Sequence, residues 1–198
     1  MIDAEVRVSR RAVLAGFRER LLTVPDTLVA GDFLTLVDLP TLHMAVIIAA
    51  AGVADGCDLQ VYDPRRKTLR IACHRGFSQT FLDYFATVDA TVASACGAAL
   101  DTGDPVMIDD VTASPIFAGK PTLQVMLDAG SRAVHSYPLR DDHGGVMGVL
   151  SLHYRSVGRH PGQERLAWAT ERAMARFTAM SSPPVALPPA DTAELRPS

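Results

Sequence analysis

Two pairs of strand-like segments, each joined by a short polar turn, constrain the fold more than any other feature of this sequence. In the first pair, Cys57–Asp63 and Thr68–His74 alternate in character and flank the turn "PRRK". In the second pair, Ala133–Leu139 and Gly145–Tyr154 flank the turn "RDDHGG". Strands joined by so few residues pair in the antiparallel direction. The sequence therefore predicts an antiparallel sheet.

Helical patterns surround these hairpins. They occupy residues 9–22, 42–54, 78–85, 94–102 and 161–180. Ser9, Ser78 and Ser94 stand at or next to helix starts, and the latter two are expected to cap their helices. A further strand is predicted at Pro105–Asp109, where the proline suits the first strand position. Residues 112–130 show no clean period and are expected to form a long loop.

Together these elements predict an α+β fold, in which an antiparallel sheet of five or six strands carries helices on one face. Three parts are expected along the chain. Residues 1–41 would form an N-terminal helix and a linker, residues 42–180 the domain itself, and residues 181–198 a disordered Pro-rich tail. The sequence leaves open whether the segment 23–41 packs on the domain or swings free.

Composition excludes several classes of function. The formal net charge is -3, which gives no basic surface for nucleic acid. The longest apolar run, Met44–Ala54, is too short to span a bilayer, and the N-terminus lacks the apolar core of a signal peptide. Three cysteines without a CxxC spacing predict neither a disulfide framework nor a structural metal site. We expect a cytoplasmic protein with no metal and no membrane partner.

Three longer stretches resemble GAF domains, and they occur in the order in which that family has them. The stretches are "LQVYDPRRKTLRIACHRGF", "SACGAALDTGDPVMIDDVTASPIF" and "AVHSYPLRDDHGGVMGVLSLHY". The resemblance covers about residues 42–180 and implies a GAF/PAS-like sheet. It also implies a regulatory module with a small-molecule pocket between the sheet and the long loop. Such modules usually dimerise through their terminal helices. Gly145 and Gly148 match small positions where a strand bends or another backbone comes close.

The position of the implied pocket indicates which residues would border a ligand. Ser114, Phe117 and Thr122 belong to the long loop, and Arg132 stands at the start of the last hairpin. His135 follows on the first strand of that hairpin, and of the six histidines it is the best placed to bind a haem iron. The sequence identifies no cofactor, however, and we predict these five residues as binding positions for an unidentified small molecule.

Cys96 is the residue on which an enzymatic alternative depends. It stands near a predicted helix start, where free amides favour a thiolate. The string "ACGAA" around it is similar to one found in a GAF branch, the free-methionine-(R)-sulfoxide reductases. That branch also uses a cysteine in the following loop, and the corresponding stretch "TASPIFAGKPTLQ" contains none. We therefore predict a packing role for Cys96 and no catalytic residue.

The favoured prediction is a sensory domain that binds a small molecule and is a homodimer through its first and last helices. Its signal would then pass to a separate output protein. Two alternatives stay open: a thiol-dependent reductase centred on Cys96, and a ligand-free dimerisation module.

Overall fold

The structure, a computed structural model, describes residues 9–181. Its seven α-helices are α1 (Arg10–Thr23), α2 (Gly31–Leu34), α3 (Leu39–Ala50), α4 (Gln79–Tyr84), α5 (Ala95–Thr102), α6 (Pro121–Asp128) and α7 (Glu164–Ser181). Its five strands are β1 (Gly56–Asp63), β2 (Thr68–Arg75), β3 (Val106–Ile108), β4 (Ala133–Arg140) and β5 (Val146–Tyr154). A 3-10 turn, Pro25–Val29, lies between α1 and α2. None of the described helices is both long and apolar enough to cross a membrane.

Side-chain caps define where the helices begin, as the sequence predicts. The hydroxyl of Ser78 accepts a hydrogen bond from the amide of Phe81, and that of Ser94 accepts one from the amide of Gly97 at 3.0 Å. Each cap satisfies an amide that the first turn would otherwise leave without a partner. At the other end of α5, Gly103 has a φ of 70°, the left-handed conformation that commonly ends a helix.

The five strands form one antiparallel sheet in the order β2-β1-β5-β4-β3. The two predicted hairpins are β1–β2 and β4–β5, and the pairing of β1 with β5 joins them. The predicted α+β architecture with an antiparallel sheet is therefore confirmed. At Gly148 the strands come so close that an added Cβ would lie 2.3 Å from the carbonyl oxygen of Gln60, which explains the small residue predicted there.

Helices cover both faces of this sheet, which corrects the expectation that they pack on one face only. Because successive side chains of a strand point to opposite faces, each strand contributes to two cores. On one face, which we call the terminal-helix face, Leu59, Leu150 and Leu152 pack with buried residues of α1, α3 and α7. On the other, Val134 and Val149 pack with buried residues of α4, α5 and α6. The chain order of helices carries no information about which face each one covers.

The segment 23–41 packs on the domain. Leu28 and Phe33 are fully buried in the core of the terminal-helix face, and an ion pair between Asp26 and Arg165 joins the 3-10 turn to α7. The helix that follows begins at Leu39, three residues before the predicted boundary. The predicted tail, residues 181–198, lies outside the described residues apart from its first.

Residues 112–130 contain α6 rather than a continuous loop. Pro121 occupies the first turn of this helix, a position where its fixed φ and missing N–H are tolerated. Thr122 and Met126 are buried one turn apart. Two turns give too few apolar positions for a helical period to stand out in the sequence.

Candidate functional site

A row of polar side chains lies buried in the middle of the sheet, on the face covered by α4, α5 and α6. The register places Asp58 opposite Ser151, and Ser151 opposite Ser136, so that the three side chains share one face of three neighbouring strands. Gln60 and His153 lie two residues further along their strands on the same face. All five are buried. We call these five residues the polar row.

Apolar side chains enclose a cavity above the polar row. Phe81 of α4, Phe85, Phe117 and Met126 of α6 contribute most of its apolar wall, and α5 adds Ala95 and Cys96. The cavity is small, with a volume of about 20 Å³. That is enough space for an ordered water molecule, and a larger ligand would require the surrounding helices to move.

Two acceptor oxygens of the polar row have no hydrogen-bond donor in the described part of the chain. They are Oδ1 of Asp58 and Oε1 of Gln60, and both residues line the cavity while being only 2% exposed. Burying a hydrogen-bond acceptor without a donor costs free energy, and most buried acceptors in native proteins have a donor. The lining of the cavity therefore contains two acceptors that are free to take a hydrogen bond.

The other carboxylate oxygen of Asp58 is hydrogen-bonded to His153. Its Nε2 lies 3.2 Å from Oδ2 of Asp58, and its Nδ1 lies 2.9 Å from the hydroxyl of Ser131. A neutral ring that accepts from Ser131 and donates to Asp58 satisfies both contacts, and so does a protonated ring that donates at both nitrogens. Phe77 and Phe81 pack edge-on against the imidazole and fix its plane. In either protonation state, Oδ1 of Asp58 is left facing the cavity.

The remaining hydroxyls of the row satisfy each other. Ser136 and Ser151 lie 2.9 Å apart, oxygen to oxygen. In a pair of hydroxyls one donates to the other, so the acceptor keeps a free O–H group. The row thus presents two oxygen acceptors and one rotatable hydroxyl to the cavity.

Cys96 borders the cavity as a buried thiol. Its sulfur lies 3.4 Å from the hydroxyl of Ser94. Burial, with a smaller effect from the charge of Asp58, raises the pKa of the Cys96 thiol to about 11. Desolvation therefore outweighs the helix N-terminus that the sequence indicated as an activating group. Cys57 and Cys73 pack on the terminal-helix face, so neither shares the cavity with Cys96.

Of the five predicted binding residues, Phe117 alone is in the cavity wall. Ser114 is buried beside it and shapes the turn that carries it, because the carbonyl of Ser114 accepts the amides of Phe117 and Ala118. Thr122 is buried at the start of α6, and its hydroxyl has no hydrogen-bond partner among the described residues. Neither Ser114 nor Thr122 is part of the lining.

Arg132 and His135 lie away from the cavity. The backbone amide of Arg132 extends the pairing of β4 with β5 by donating to the carbonyl of Tyr154 at 2.7 Å, while its side chain is exposed. His135 is buried, but it shares the terminal-helix face with Leu152, its partner across the strands. There its Nε2 lies 3.7 Å from a carboxylate oxygen of Asp109. Burial lowers the pKa of His135. Strand alternation thus separates His135 from the ligand position that the resemblance implied.

The polar row itself was missed by reasoning from the sequence. Its signal is a polar residue at every second position of segments that are otherwise apolar, as in "DLQ" of β1 and "SLH" of β5. Such alternation is typical of a strand with one solvated face. It is equally produced by a polar cavity beneath covering helices, and the alternation alone cannot separate the two. Among the described residues, no group of three or more His, Cys, Asp or Glu side chains is arranged to hold a metal ion.

Comparison with solved structures shows how widely this architecture occurs. One similar structure is free methionine-R-sulfoxide reductase from Neisseria meningitidis in complex with its substrate (17% identity, TM-score 0.55, covering 92% of this chain and 97% of that one). Another is the GAF domain of a phosphoenolpyruvate-protein phosphotransferase from Coxiella burnetii (14% identity, TM-score 0.59, covering 82% and 95%). A third is the A. aeolicus nlh2 GAF domain in an inactive state (16% identity, TM-score 0.56, covering 85% and 99%).

These identities are low, so the likeness establishes the shared fold alone. No curated protein matches the sequence significantly. The profile of the GAF domain, in contrast, matches residues 39–181, which include the whole sheet and all the helices that enclose the cavity. The chain therefore belongs to the GAF-domain family.

Proposed function

We propose that this chain is a sensory or regulatory domain that binds a small molecule in the cavity above the polar row. The observation that carries the proposal is the pair of buried acceptors, Oδ1 of Asp58 and Oε1 of Gln60, that face the cavity without a donor. A purely structural sheet face gains stability when such positions are apolar. Two unsatisfied oxygens in the lining of one cavity are accounted for if a ligand supplies the donors.

The narrowness of the cavity suggests how binding would be sensed. The apolar wall is formed by short helices, and α4 and α6 contact each other above the sheet. A ligand larger than one or two water molecules would displace them. Because a ligand shifts an equilibrium only by its differential affinity for two arrangements, occupancy would favour an opened position of α4 and α6. That change is the proposed signal to a separate output protein.

Native mass spectrometry of the protein purified from its own host tests this proposal. We expect a bound mass that disappears on denaturation and that is absent from the variant Gln60→Leu. The matched control is Thr170→Val, which removes a buried, unpartnered hydroxyl of α7 on the terminal-helix face and should leave the bound mass in place. A wild-type protein without any bound mass would contradict the proposal and would support a ligand-free module.

A thiol-dependent reductase is the second candidate, because Cys96 borders the same cavity and solved reductases share the fold. The raised pKa of Cys96 argues against it, since the thiolate is the nucleophile. An oxidised Cys96 would also have to be reduced by another thiol, and because Cys57 and Cys73 lie across the sheet, that thiol would have to come from a separate reductant. Turnover of free methionine sulfoxide that is lost in Cys96→Ser would overturn the sensory proposal in favour of the enzyme.

We also propose a homodimer through the terminal helices, with a restriction on which surface is used. One side of α7 carries Leu166, Thr170 and Ala173, and all three are buried within the chain's own domain. A second copy would therefore contact the opposite side of α7, where Trp168 is 43% exposed. Sedimentation of the wild type as a dimer, and of Trp168→Glu as a monomer, is the expected result. A monomeric wild type at micromolar concentration would refute it.

A further inference from the structure

We infer that the cavity above the polar row selects a small organic cation, with a primary ammonium group and without a carboxylate. This inference rests on the proposed function, because it names the chemical class of the ligand. Three observations support it: the unpartnered polar atoms of the cavity are acceptors, the described lining contains no Lys or Arg, and the rest of the wall is largely aromatic.

The two cavity atoms that lack any partner are both acceptors, and the Ser136–Ser151 pair adds one hydroxyl that can donate or accept. Oδ1 of Asp58 and Oε1 of Gln60 receive no hydrogen bond in the described part of the chain. The side chain of Gln60 makes a hydrogen bond that lowers the pKa of the Cys96 thiol, which is the effect of an N–H donor. An ammonium group has three N–H donors and no acceptor. It therefore has enough donors for both oxygens, and hydrogen bonds to an ionised acceptor are the stronger kind.

The charged groups that border the cavity disfavour an anion. Among the described lining residues none is Lys or Arg, and the one basic side chain is His153. That ring already contacts Oδ2 of Asp58 and the hydroxyl of Ser131, so it has no free nitrogen for a second anion. A carboxylate in the cavity would lie beside the carboxylate of Asp58 without a compensating charge, which is unfavourable in a buried site. An amino acid ligand is disfavoured for the same reason.

The rest of the wall suits a short apolar chain attached to the ammonium group. Phe81, Phe85 and Phe117 are buried around the space. Aromatic faces attract cations as well as apolar groups. The small free space limits the ligand in the present arrangement of helices, so compact alkylamines are the appropriate probes.

Titration of the full-length protein with three ligands of the same size tests the inference. The probes are n-propylammonium chloride, n-propanol and sodium propionate, at matched ionic strength, followed by the backbone amide NMR signals of residues 58, 60 and 96. We expect propylammonium to bind about tenfold more tightly than propanol, which corresponds to about 1.4 kcal/mol. Propionate is expected to bind more weakly than either.

Two variants make the result specific to the acceptors. Asp58→Asn keeps the shape of the side chain and is expected to bring the affinities for propylammonium and propanol to within about twofold of each other. Because Asp58→Asn changes the contact with His153 and can destabilise the fold, Gln60→Leu serves as a second variant. It is expected to weaken the binding of propylammonium by about tenfold. Thr170→Val, on the opposite face of the sheet, is the control and should retain the wild-type affinities.

The outcomes separate this inference from the proposed function. Equal binding of propanol and propylammonium, or preferred binding of propionate, would overturn the inference and leave a ligand-binding cavity in place. No shift with any of the three probes, in a protein that carries a bound mass from its host, would also overturn the inference alone. No shift with any probe and no bound mass would overturn both.

Discussion

Replacement of Gln60 by Leu is expected to stabilise the unliganded protein. Gln60 is 2% exposed, and its Oε1 has no donor among the described residues. Leaving such an oxygen buried costs about 1–3 kcal/mol, and Leu, close to Gln in volume, removes that cost and keeps the contacts with the cavity wall. The loss of the weak hydrogen bond to the Cys96 thiol offsets part of the gain. We expect a net increase of about 1–2 kcal/mol in the free energy of unfolding.

Urea denaturation followed by far-UV circular dichroism measures this change, after unfolding and refolding to remove any bound molecule. For a domain of this size the same gain raises the melting temperature by about 2–8 °C. Thr170→Val is the matched control, because it removes an unpartnered hydroxyl from the other face and should stabilise the protein without affecting the cavity. A loss of stability in Gln60→Leu alone would refute the reasoning, since it would mean that the Gln60 amide is fully satisfied in the folded protein.

Three further outcomes follow from the same contacts. Gly148→Ala should lower the free energy of unfolding, measured by urea denaturation, by more than about 2 kcal/mol, because the new Cβ would lie 2.3 Å from the carbonyl oxygen of Gln60. The control is Gly31→Ala, because a Cβ at Gly31 would have nothing within 4 Å. Equal stabilities of the two variants would contradict the register of β1 and β5. Burial raises the pKa of Cys96 to about 11. At pH 8 the thiol should therefore react with iodoacetamide about two orders of magnitude more slowly in the folded chain than in the unfolded chain. Similar rates in the two states would contradict the burial of Cys96. Burial lowers the pKa of His135, so at a pH below the ordinary value of about 6.5 the unfolded chain binds more protons than the folded chain. The free energy of unfolding should therefore fall as the pH decreases from about 7 to 5. An unchanged pH dependence in His135→Phe would show that another group is responsible.

The sheet was predictable because its information is local. Each hairpin is specified by two alternating segments and the turn between them, as in Cys57–Asp63 and the strand that follows it. Helix starts were predictable for the same reason, since the hydroxyls of Ser78 and Ser94 act on amides three residues ahead. Such contacts lie within one stretch of sequence, where residue type and spacing are visible together.

The cavity was not predictable, because it depends on pairings between distant segments. Asp58 and Ser151 lie in different hairpins, and only the register of β1 with β5 brings them together. The same register lets His153 contact Asp58. The register of β4 with β5 places His135 opposite Leu152, on the other face of the sheet. Alternation in the sequence shows that two sets of side chains exist. It does not show which set meets the helices that enclose a cavity.

The segment 23–41 shows a different limit. Its prolines and glycine are typical of a linker, yet Leu28 and Phe33 are fully buried. Such residues punctuate the backbone without determining whether the pieces between them pack. Packing of this segment depends on its apolar side chains, and it can be predicted only when the surface against which they pack is known.

The most direct test of a ligand-binding cavity is a high-resolution crystal structure of the protein purified from its own host. We predict electron density for a molecule other than water above the polar row, with a donor atom within about 3.2 Å of Oδ1 of Asp58 and of Oε1 of Gln60. A cavity that holds only water, or one in which protein side chains supply both donors, would contradict the account.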